Sequence, residues 1–258
     1  MLLDDTFRKT YKDYMLPSKQ YNNVLNKEQL EQLVDFMFKK TDKWRTSPTG
    51  NLFFSGNFDT LGKEYIIPWL GDIIKDTIDF DEVYQFKGNF FHTPHQYGVH
   101  TDMPEPDNEY NHNRITYRSI LIPLYMLPST KSHITFYDQR VLDTGCTLDW
   151  GPHKSTTHYR SFTDYSKIDH VYTLDGETKI GNTPMSQEEY EKNFLNWAPS
   201  HIDRYTGLTV ENTFEWKPGS VITFDTAQIH SSNCGAPGHT FKTKAGLRLS
   251  LFKFIKRV

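Results

Sequence analysis

The alternation of apolar and polar residues divides the chain into a helical first third and a β-rich remainder. Between residues 26 and 44, apolar side chains recur at helical spacing, and Asn26 stands where an N-cap residue is expected. A second apolar run, residues 65–78, carries Pro68 near its start, and proline is favoured at the first turn of a helix. These patterns predict two helices before the sheet begins.

Beyond Gly88 the pattern changes to short β-rich runs. They are bounded by Gly, Pro, Asn or Ser, and no helices alternate with them, which favours antiparallel strands over a parallel sheet. The runs are 118–127, 132–138, 219–225 and 246–255.

We expect a single domain over residues 1–258 that is mainly β with flanking helices. Residues 1–87 are predicted to be mostly helical support, and residues 88–258 to form a β-sandwich or barrel. A long polar insertion at about 139–216 interrupts this core and contains one short helical pattern. Connections of this length are uncommon unless they are functional.

The last run, 246–255, predicts a central strand that is covered on both faces. Its aliphatic residues alternate onto one face, where the helices of the first third can cover them. Arg248 and Ser250 point to the other face, beside two phenylalanines. Because arginine is almost never buried without a partner, we expect either a protein carboxylate or an anionic ligand next to Arg248.

Composition and charge exclude several classes of protein. The net charge is −3 and no long basic tract is present, so we expect no nucleic-acid partner. No apolar run approaches the roughly 20 residues that a membrane span needs, and the first residues lack the apolar core of a signal peptide. Cys146 and Cys234 are too few for a disulfide framework. Together these features predict a cytoplasmic protein.

His100 and Asp102 form a candidate metal-binding pair, because residues i and i+2 of a strand share a face. His201 and Asp203 have the same spacing, but their flanking residues favour a turn. His230, which follows a predicted strand and loop, is the candidate third ligand. Two imidazoles and one carboxylate leave three octahedral positions open, an arrangement that suits a non-heme Fe(II) holding a bidentate co-substrate and O2.

These motifs together resemble the Fe(II)- and 2-oxoglutarate-dependent oxygenases. HTD at 100–102, His230 and RLS at 248–250 are similar to the family's His-x-Asp, distal His and Arg-x-Ser. The phrase GSVITFDTAQIH at 219–230 is similar to the family's strand before the distal ligand. The likeness spans about residues 90–258 and implies a double-stranded β-helix, the jelly roll of cupin-like proteins.

The resemblance also implies an activity. The chain would be a dioxygenase that oxidises, most often by hydroxylation, a substrate with O2 while it converts 2-oxoglutarate to succinate and CO2. His100, Asp102 and His230 would be the catalytic iron ligands. Since Asp102 is a carboxylate and not the small residue typical of the family's halogenases, halogenation is disfavoured.

A second set of residues would bind 2-oxoglutarate. Arg248 can make two parallel hydrogen bonds to its far carboxylate, and Ser250 can add a hydroxyl donor. Tyr125 would complete this pocket, as in the prolyl-hydroxylase-like branch, and Tyr97 would line it near the iron. The gap from His230 to Arg248 is longer than usual in the family, which leaves Arg257 as a fallback for the arginine.

The substrate is predicted only as a class. A small molecule or an amino-acid side chain would enter through the insertion and the loop 103–114. The polar and aromatic residues there that could receive it are Arg114, Arg118, Arg140, Trp150 and His153. His95 and Gln96 have no assigned role.

Two alternatives remain open from the residues alone. A non-catalytic jelly-roll binding or structural module would leave the three candidate ligands unrelated and would pair Arg248 with an acid such as Asp225. A cupin-like protein with zinc or manganese would hold the triad without needing Arg248 or Ser250.

Overall fold

The computed structural model describes two β-sheets and the helices that accompany them. The described residues are 11–39, 45–46, 52–57, 68–78, 85–93, 97–102, 114–128, 131–142, 146–148, 160–161, 170–194, 205–234 and 244–254.

Three helices lie within these residues: α1 (Lys27–Lys39), α2 (Pro68–Thr77) and α3 (Gln187–Phe194). Fifteen strands accompany them: β1 (Lys19–Tyr21), β2 (Arg45–Thr46), β3 (Leu52–Asn57), β4 (Gln85–Thr93), β5 (Tyr97–His100), β6 (Arg114–Met126), β7 (Ser132–Val141), β8 (Cys146–Leu148), β9 (Arg160–Ser161), β10 (Val171–Thr173), β11 (Gly176–Thr178), β12 (Val210–Glu215), β13 (Val221–Asp225), β14 (Gln228–Cys234) and β15 (Lys244–Phe254). None of the described helices is long and apolar enough to cross a bilayer.

Local sequence signals determine where the helices begin. The Asn26 side chain accepts a hydrogen bond from the Gln29 amide at 2.9 Å, and the Gln29 side chain accepts one from the Asn26 amide at 2.9 Å. This reciprocal pair is a capping box, which satisfies two amides that the helix itself leaves unbonded. Helix α2 begins at Pro68, where a missing N–H costs nothing. Both predicted helices are confirmed.

The strands form two sheets. Sheet A has the order β1-β13-β6-β15-β4-β3-β2, and sheet B has the order β11-β10-β7-β14-β5-β8-β9 with β12 also paired to β7. All pairs are antiparallel except β8 with β9. The mainly β, jelly-roll class is therefore confirmed. The region expected to be helical support also gives β1, β2 and β3 to sheet A.

The boundaries of the long insertion differ from the sequence-based estimate. Residues 139–141 belong to β7, and β12 ends at Glu215 in sheet B, so both ends of the predicted segment are strand. Between these two strands, β8, β9, β10 and β11 also belong to sheet B. The predicted short helix of the insertion is α3, where the Ser186 hydroxyl accepts a hydrogen bond from the Glu189 amide at 3.1 Å.

Strand β15 lies at the centre of sheet A and separates two apolar layers. Leu247 and Leu249, both fully buried, face the layer that α1 and α2 cover through Leu33 and Ile74. A second layer fills the interior on the Arg248 side of the sheet and consists of Phe91, Leu121, Ile134, Phe136, Trp216, Ile222 and Phe224. The predicted central strand with two covered faces is confirmed.

A buried carboxylate joins the two sheets. Asp225 on β13 lies 2.6 Å from Arg118 Nη1 on β6 and 2.6 Å from Arg140 Nε on β7, and Asp225 and Arg140 are fully buried. The Leu16 amide also donates to Asp225 at 3.1 Å. The prediction that Arg118 and Arg140 line the substrate mouth is wrong, because both side chains are buried and pair with Asp225.

We expect Asp225→Asn to destabilise the fold strongly. The substitution keeps the side-chain shape but removes the charge that two buried arginines share, and breaking a buried ion pair costs about 3–5 kcal/mol. Urea denaturation measures the change in the free energy of unfolding. Asp35→Asn is the matched control, because Asp35 makes an exposed pair with Lys39 at 2.9 Å and such pairs contribute about 0.3–0.5 kcal/mol. Equal effects of the two substitutions would contradict the role given to Asp225.

Candidate metal centre

The backbone brings the three predicted ligands together from distant parts of the chain. His100 is the last residue of β5, and His230 on the neighbouring strand β14 is its direct cross-strand partner. Asp102 follows two residues after His100, and its amide donates a 2.9 Å hydrogen bond to the Thr226 carbonyl. Thr226 belongs to the tight connection between β13 and β14. Asp102 is therefore hydrogen-bonded to the backbone that leads directly into the strand carrying His230.

The side chains converge to metal-binding distances. One ligand atom from each of His100, Asp102 and His230 lies within 4.8 Å of the other two. His100 Nε2 is 3.9 Å from Asp102 Oδ1, and His230 Nε2 is 4.0 Å from Asp102 Oδ2. Among the described residues this is the one group of three or more His, Cys, Asp or Glu side chains with such a spacing.

His230 is held neutral and oriented. Its exposed fraction is 4%, and the rings of Phe224 and Phe136 lie 4.7 Å and 5.7 Å from its own. Burial, reinforced by the neighbouring His100 imidazole, lowers the pKa of His230 to about 3. Nδ1 lies 2.9 Å from the Gln228 carbonyl, to which a neutral ring donates from that nitrogen, so Nε2 is left as a lone-pair donor.

Asp102 is held in its charged form. Burial by itself would raise the pKa of this carboxyl, but the Arg248 guanidinium and the two imidazoles outweigh it and leave the pKa below its usual value. The Ser119 hydroxyl donates to Oδ2 at 3.4 Å. An ionised carboxylate beside the neutral imidazole of His230 gives a donor set that can accept a cation.

Arg248 reaches the cluster from β15. Its Nη1 donates to Asp102 Oδ1, and its side chain is 37% exposed. The alternative that paired Arg248 with Asp225 does not fit, since Asp225 is occupied by Arg118 and Arg140. The acid that Arg248 contacts is the candidate metal ligand itself.

Ser250 lies two residues further along β15, directly opposite Ser119 of β6. Ser119 in turn donates to Asp102, so Ser250 is placed on the same face of the sheet as the cluster. Its side chain is partly exposed. The structure therefore brings Arg248 and Ser250 to one strand face beside Asp102.

The structure does not bring Tyr125 to this pocket. Its ring makes edge contacts with Phe38 and His92, both at 6.4 Å between centroids, and packs on the layer under α1 and α2. The register of β15 against β6 shifts between Gly246 opposite Pro123 and Ala245 opposite Tyr125. This bulge breaks the alternation that would have turned Tyr125 inward, so its assignment to the 2-oxoglutarate pocket is corrected to a packing role.

For several other predicted residues, the structure describes the backbone only or does not describe the residue. Tyr97 pairs through its backbone with Ser232 in sheet B. Arg114 begins β6. The following lie outside the described residues: His95, Gln96, Trp150, His153, His201, Asp203 and Arg257.

Three residues that support the ligands were not predicted from the sequence. They are Ser119, Thr226 and Gln228, which hold Asp102 and His230 by one side-chain and two backbone contacts. Backbone acceptors leave no signature of residue type. Ser119 did leave one, a small polar residue at an inward position of the apolar run 118–127.

The donor set fits Fe(II). Two imidazole nitrogens and one carboxylate oxygen leave open positions on the metal, which the facial triad of non-heme iron oxygenases requires. Asp102 is charged and His230 is neutral, the two protonation states that metal binding needs. Zinc accepts the same donors, so the donor set suits a divalent transition metal and does not by itself select iron.

Comparison of the sequence with known proteins identifies no relative. No protein-family model matches the chain, and no curated protein matches it.

Comparison of the structure with solved structures finds similar folds. A Pseudomonas putida prolyl-4-hydroxylase has a TM-score of 0.46 and 11% identity, over 97% of this chain and 100% of that chain. The non-heme alpha-ketoglutarate-dependent carbocyclase SnoK has a TM-score of 0.49 and 10% identity, over 99% and 88%. EctD from S. alaskensis, solved with 2-oxoglutarate and 5-hydroxyectoine, has a TM-score of 0.45 and 11% identity, over 98% and 76%. These likenesses concern the fold.

We expect metal binding to weaken when any of the three ligands is removed. Asp102→Ala and His230→Ala each take one donor from a three-donor set and should weaken Co(II) binding by more than 10-fold, because ligand loss exceeds the 10–100-fold cost of losing an outer partner. Co(II) titration followed by visible absorption measures the affinity. His133→Ala is the control, since His133 lies on β7 outside the cluster. Equal affinities in the ligand variants and this control would contradict the assignment.

Proposed function

We propose that this protein is an Fe(II)- and 2-oxoglutarate-dependent dioxygenase that oxidises, most often by hydroxylation, a small molecule or an amino-acid side chain. The observation that carries the proposal is the convergence of Arg248 with the His100, Asp102 and His230 cluster. In a binding or structural module the contact of Arg248 with Asp102 would be an ion pair only, and it would not need two imidazoles beside the same carboxylate.

The chain's own residues define what each part of the site does. His100, Asp102 and His230 would hold Fe(II) by one face and leave the other face open to solvent or ligands. When bound, the iron supplies the redox chemistry that couples reduction of O2 to oxidation of 2-oxoglutarate and substrate. The protein would position the iron, supply charged side chains around it and exclude water from its inner side.

Arg248 would bind the far carboxylate of 2-oxoglutarate. A planar guanidinium can make two parallel hydrogen bonds to a carboxylate, and here it already makes a carboxylate contact with Asp102. Its side chain is 37% exposed, so part of it is accessible to a ligand. Ser250, on the same strand face, would add a hydroxyl donor to the same anion.

The interior aromatic layer would keep water from the inner side of the site. Phe136 is stacked on the His230 ring with an interplanar angle of 28°, and Phe224 packs beside both. All three side chains are at most 4% exposed. A dry wall strengthens the electrostatic interactions of the ligands and limits unproductive reactions of the bound co-substrate.

The open side of the site would face the substrate. The loop 103–114 and the insertion are predicted to contact the substrate. The cytoplasmic location and the absence of a nucleic-acid partner also remain predictions. Because Asp102 occupies the position of the acidic ligand, hydroxylation or desaturation is favoured over halogenation.

The first test is formation of the ternary complex. Mixing the protein with Fe(II) and 2-oxoglutarate without O2 should give a metal-to-ligand charge-transfer absorption band, and admission of O2 should release succinate slowly even without substrate. Asp102→Ala should give neither signal. A protein that binds Fe(II) but shows no band with 2-oxoglutarate would rule out the proposal and would favour a cupin-like site for another metal.

The second test separates the co-substrate from the metal. Arg248→Ala should weaken 2-oxoglutarate binding by about 1.5–3 kcal/mol, roughly 10- to 150-fold, because charge-assisted hydrogen bonds are lost. Fe(II) affinity should stay nearly unchanged, since the substitution removes a cation from beside Asp102 and no ligand. Arg248→Lys keeps the charge without the planar fork, so its affinity for 2-oxoglutarate should lie between those of the unmodified protein and Arg248→Ala. Equal loss of iron and 2-oxoglutarate binding would make Arg248 a structural residue instead.

A further inference from the structure

A two-residue connection, Thr226–Ala227, passes the chain from sheet A to sheet B and is called here the corner turn. It joins β13, which ends at Asp225, to β14, which begins at Gln228. The Thr226 carbonyl accepts the Asp102 amide at 2.9 Å. The Gln228 carbonyl, one residue beyond the turn, lies 2.9 Å from His230 Nδ1. The orientation of two of the three candidate metal ligands therefore depends on how firmly this backbone is held.

Tyr11 holds the corner turn from outside both sheets. Its hydroxyl accepts the Ala227 amide at 2.9 Å and donates to the Tyr117 carbonyl at 3.1 Å. The Thr226 amide donates to the same Tyr117 carbonyl, also at 3.1 Å. Tyr11 and Ala227 are both fully buried, so bulk water does not reach this hydrogen bond.

The chemistry of the phenol suits this position. Burial, and to a smaller extent the Asp225 carboxylate, raises the pKa of Tyr11 above its usual value. The hydroxyl therefore stays protonated and can donate its hydrogen bond. One O–H group thus satisfies a buried amide and a buried carbonyl together. No sequence motif marked this residue, because it lies 216 positions from the amide it binds.

We propose that Tyr11 is a positioning residue of the metal site. Its hydroxyl fixes the corner turn, and the corner turn fixes Asp102 and His230. The inference rests on the proposed function insofar as the cluster binds a metal, and it adds the N-terminal segment to the parts on which that site depends.

Tyr11→Phe tests the proposal with one atom removed. The ring keeps its packing, while the Ala227 amide loses its acceptor and the turn is free to shift. Co(II) affinity of the full chain should fall about 10-fold, the low end of what outer partners of metal ligands contribute. The visible band of bound Co(II) should also change shape. Both are measured at a temperature at which circular dichroism shows the variant fully folded.

Tyr137→Phe is the matched control. Tyr137 is equally buried, and its hydroxyl lies 3.0 Å from the Ser231 hydroxyl on β14, so the control also removes one internal hydrogen bond. It leaves the backbone of the corner turn untouched. Its Co(II) affinity should stay within about twofold of the unmodified protein, since no partner of a ligand is lost. If Tyr11→Phe does not fold alone, the same titrations are run with an excluded osmolyte that favours the compact state.

The outcomes separate the two proposals. Weaker Co(II) binding in Tyr11→Phe but not in Tyr137→Phe supports the positioning role. Unchanged Co(II) binding and an unchanged band in Tyr11→Phe overturn it, whatever happens to the melting temperature, and leave the proposed function standing. If the unmodified protein binds no Co(II), both proposals fail. If the protein binds Co(II) but forms no complex with 2-oxoglutarate, the dioxygenase assignment fails. The comparison of Tyr11→Phe with Tyr137→Phe then still decides the role of Tyr11.

Discussion

The buried carboxylate of Asp225 is the interaction on which the rest of the structure depends. It receives a guanidinium from each sheet, and the two arginines in turn donate to the Leu16 carbonyl at 2.9 Å and 3.1 Å. Charges buried away from water need such pairing, since an unpaired buried ion costs far more than a hydrogen bond. The sheets and the N-terminal segment are therefore held in one relative position. Since Asp225 directly precedes the corner turn, this position is passed to the ligands of the candidate metal centre.

The sequence was sufficient to predict those parts of the site that repeat the geometry of a strand. His100 and Asp102 share a face by spacing, and His230 follows a run that forms β13. Arg248 was found by a different signal, a charged residue on a strand whose two faces are otherwise apolar. Each of these inferences uses local periodicity. The pairing of His100 with His230 needed the fold as well, because it joins strands 130 positions apart in the sequence.

The errors arose where periodicity or burial was broken by a distant partner. Arg118 and Arg140 look like solvent-facing residues in the sequence, and nothing near them predicts that one acid will bury both. Tyr125 was misplaced because Pro123 stands inside a central strand, where a proline accompanies a bulge that local alternation does not anticipate. Tyr11 carried no signal, since its two partners are backbone groups. Long-range charge pairing, bulges and backbone acceptors are the three kinds of information that one sequence does not display.

The position of β15 has a consequence for how the chain is made. It is the last described strand in sequence, yet it lies between β6 and β4, with both of which it pairs over most of its length. Until residues 244–254 have been synthesised, β6 and β4 each expose an unpaired edge, and such edges readily pair with other chains. Sheet A therefore closes between β6 and β4 only when β15 inserts. The guanidinium of Arg248 arrives with that strand, so the same insertion brings Arg248 to Asp102.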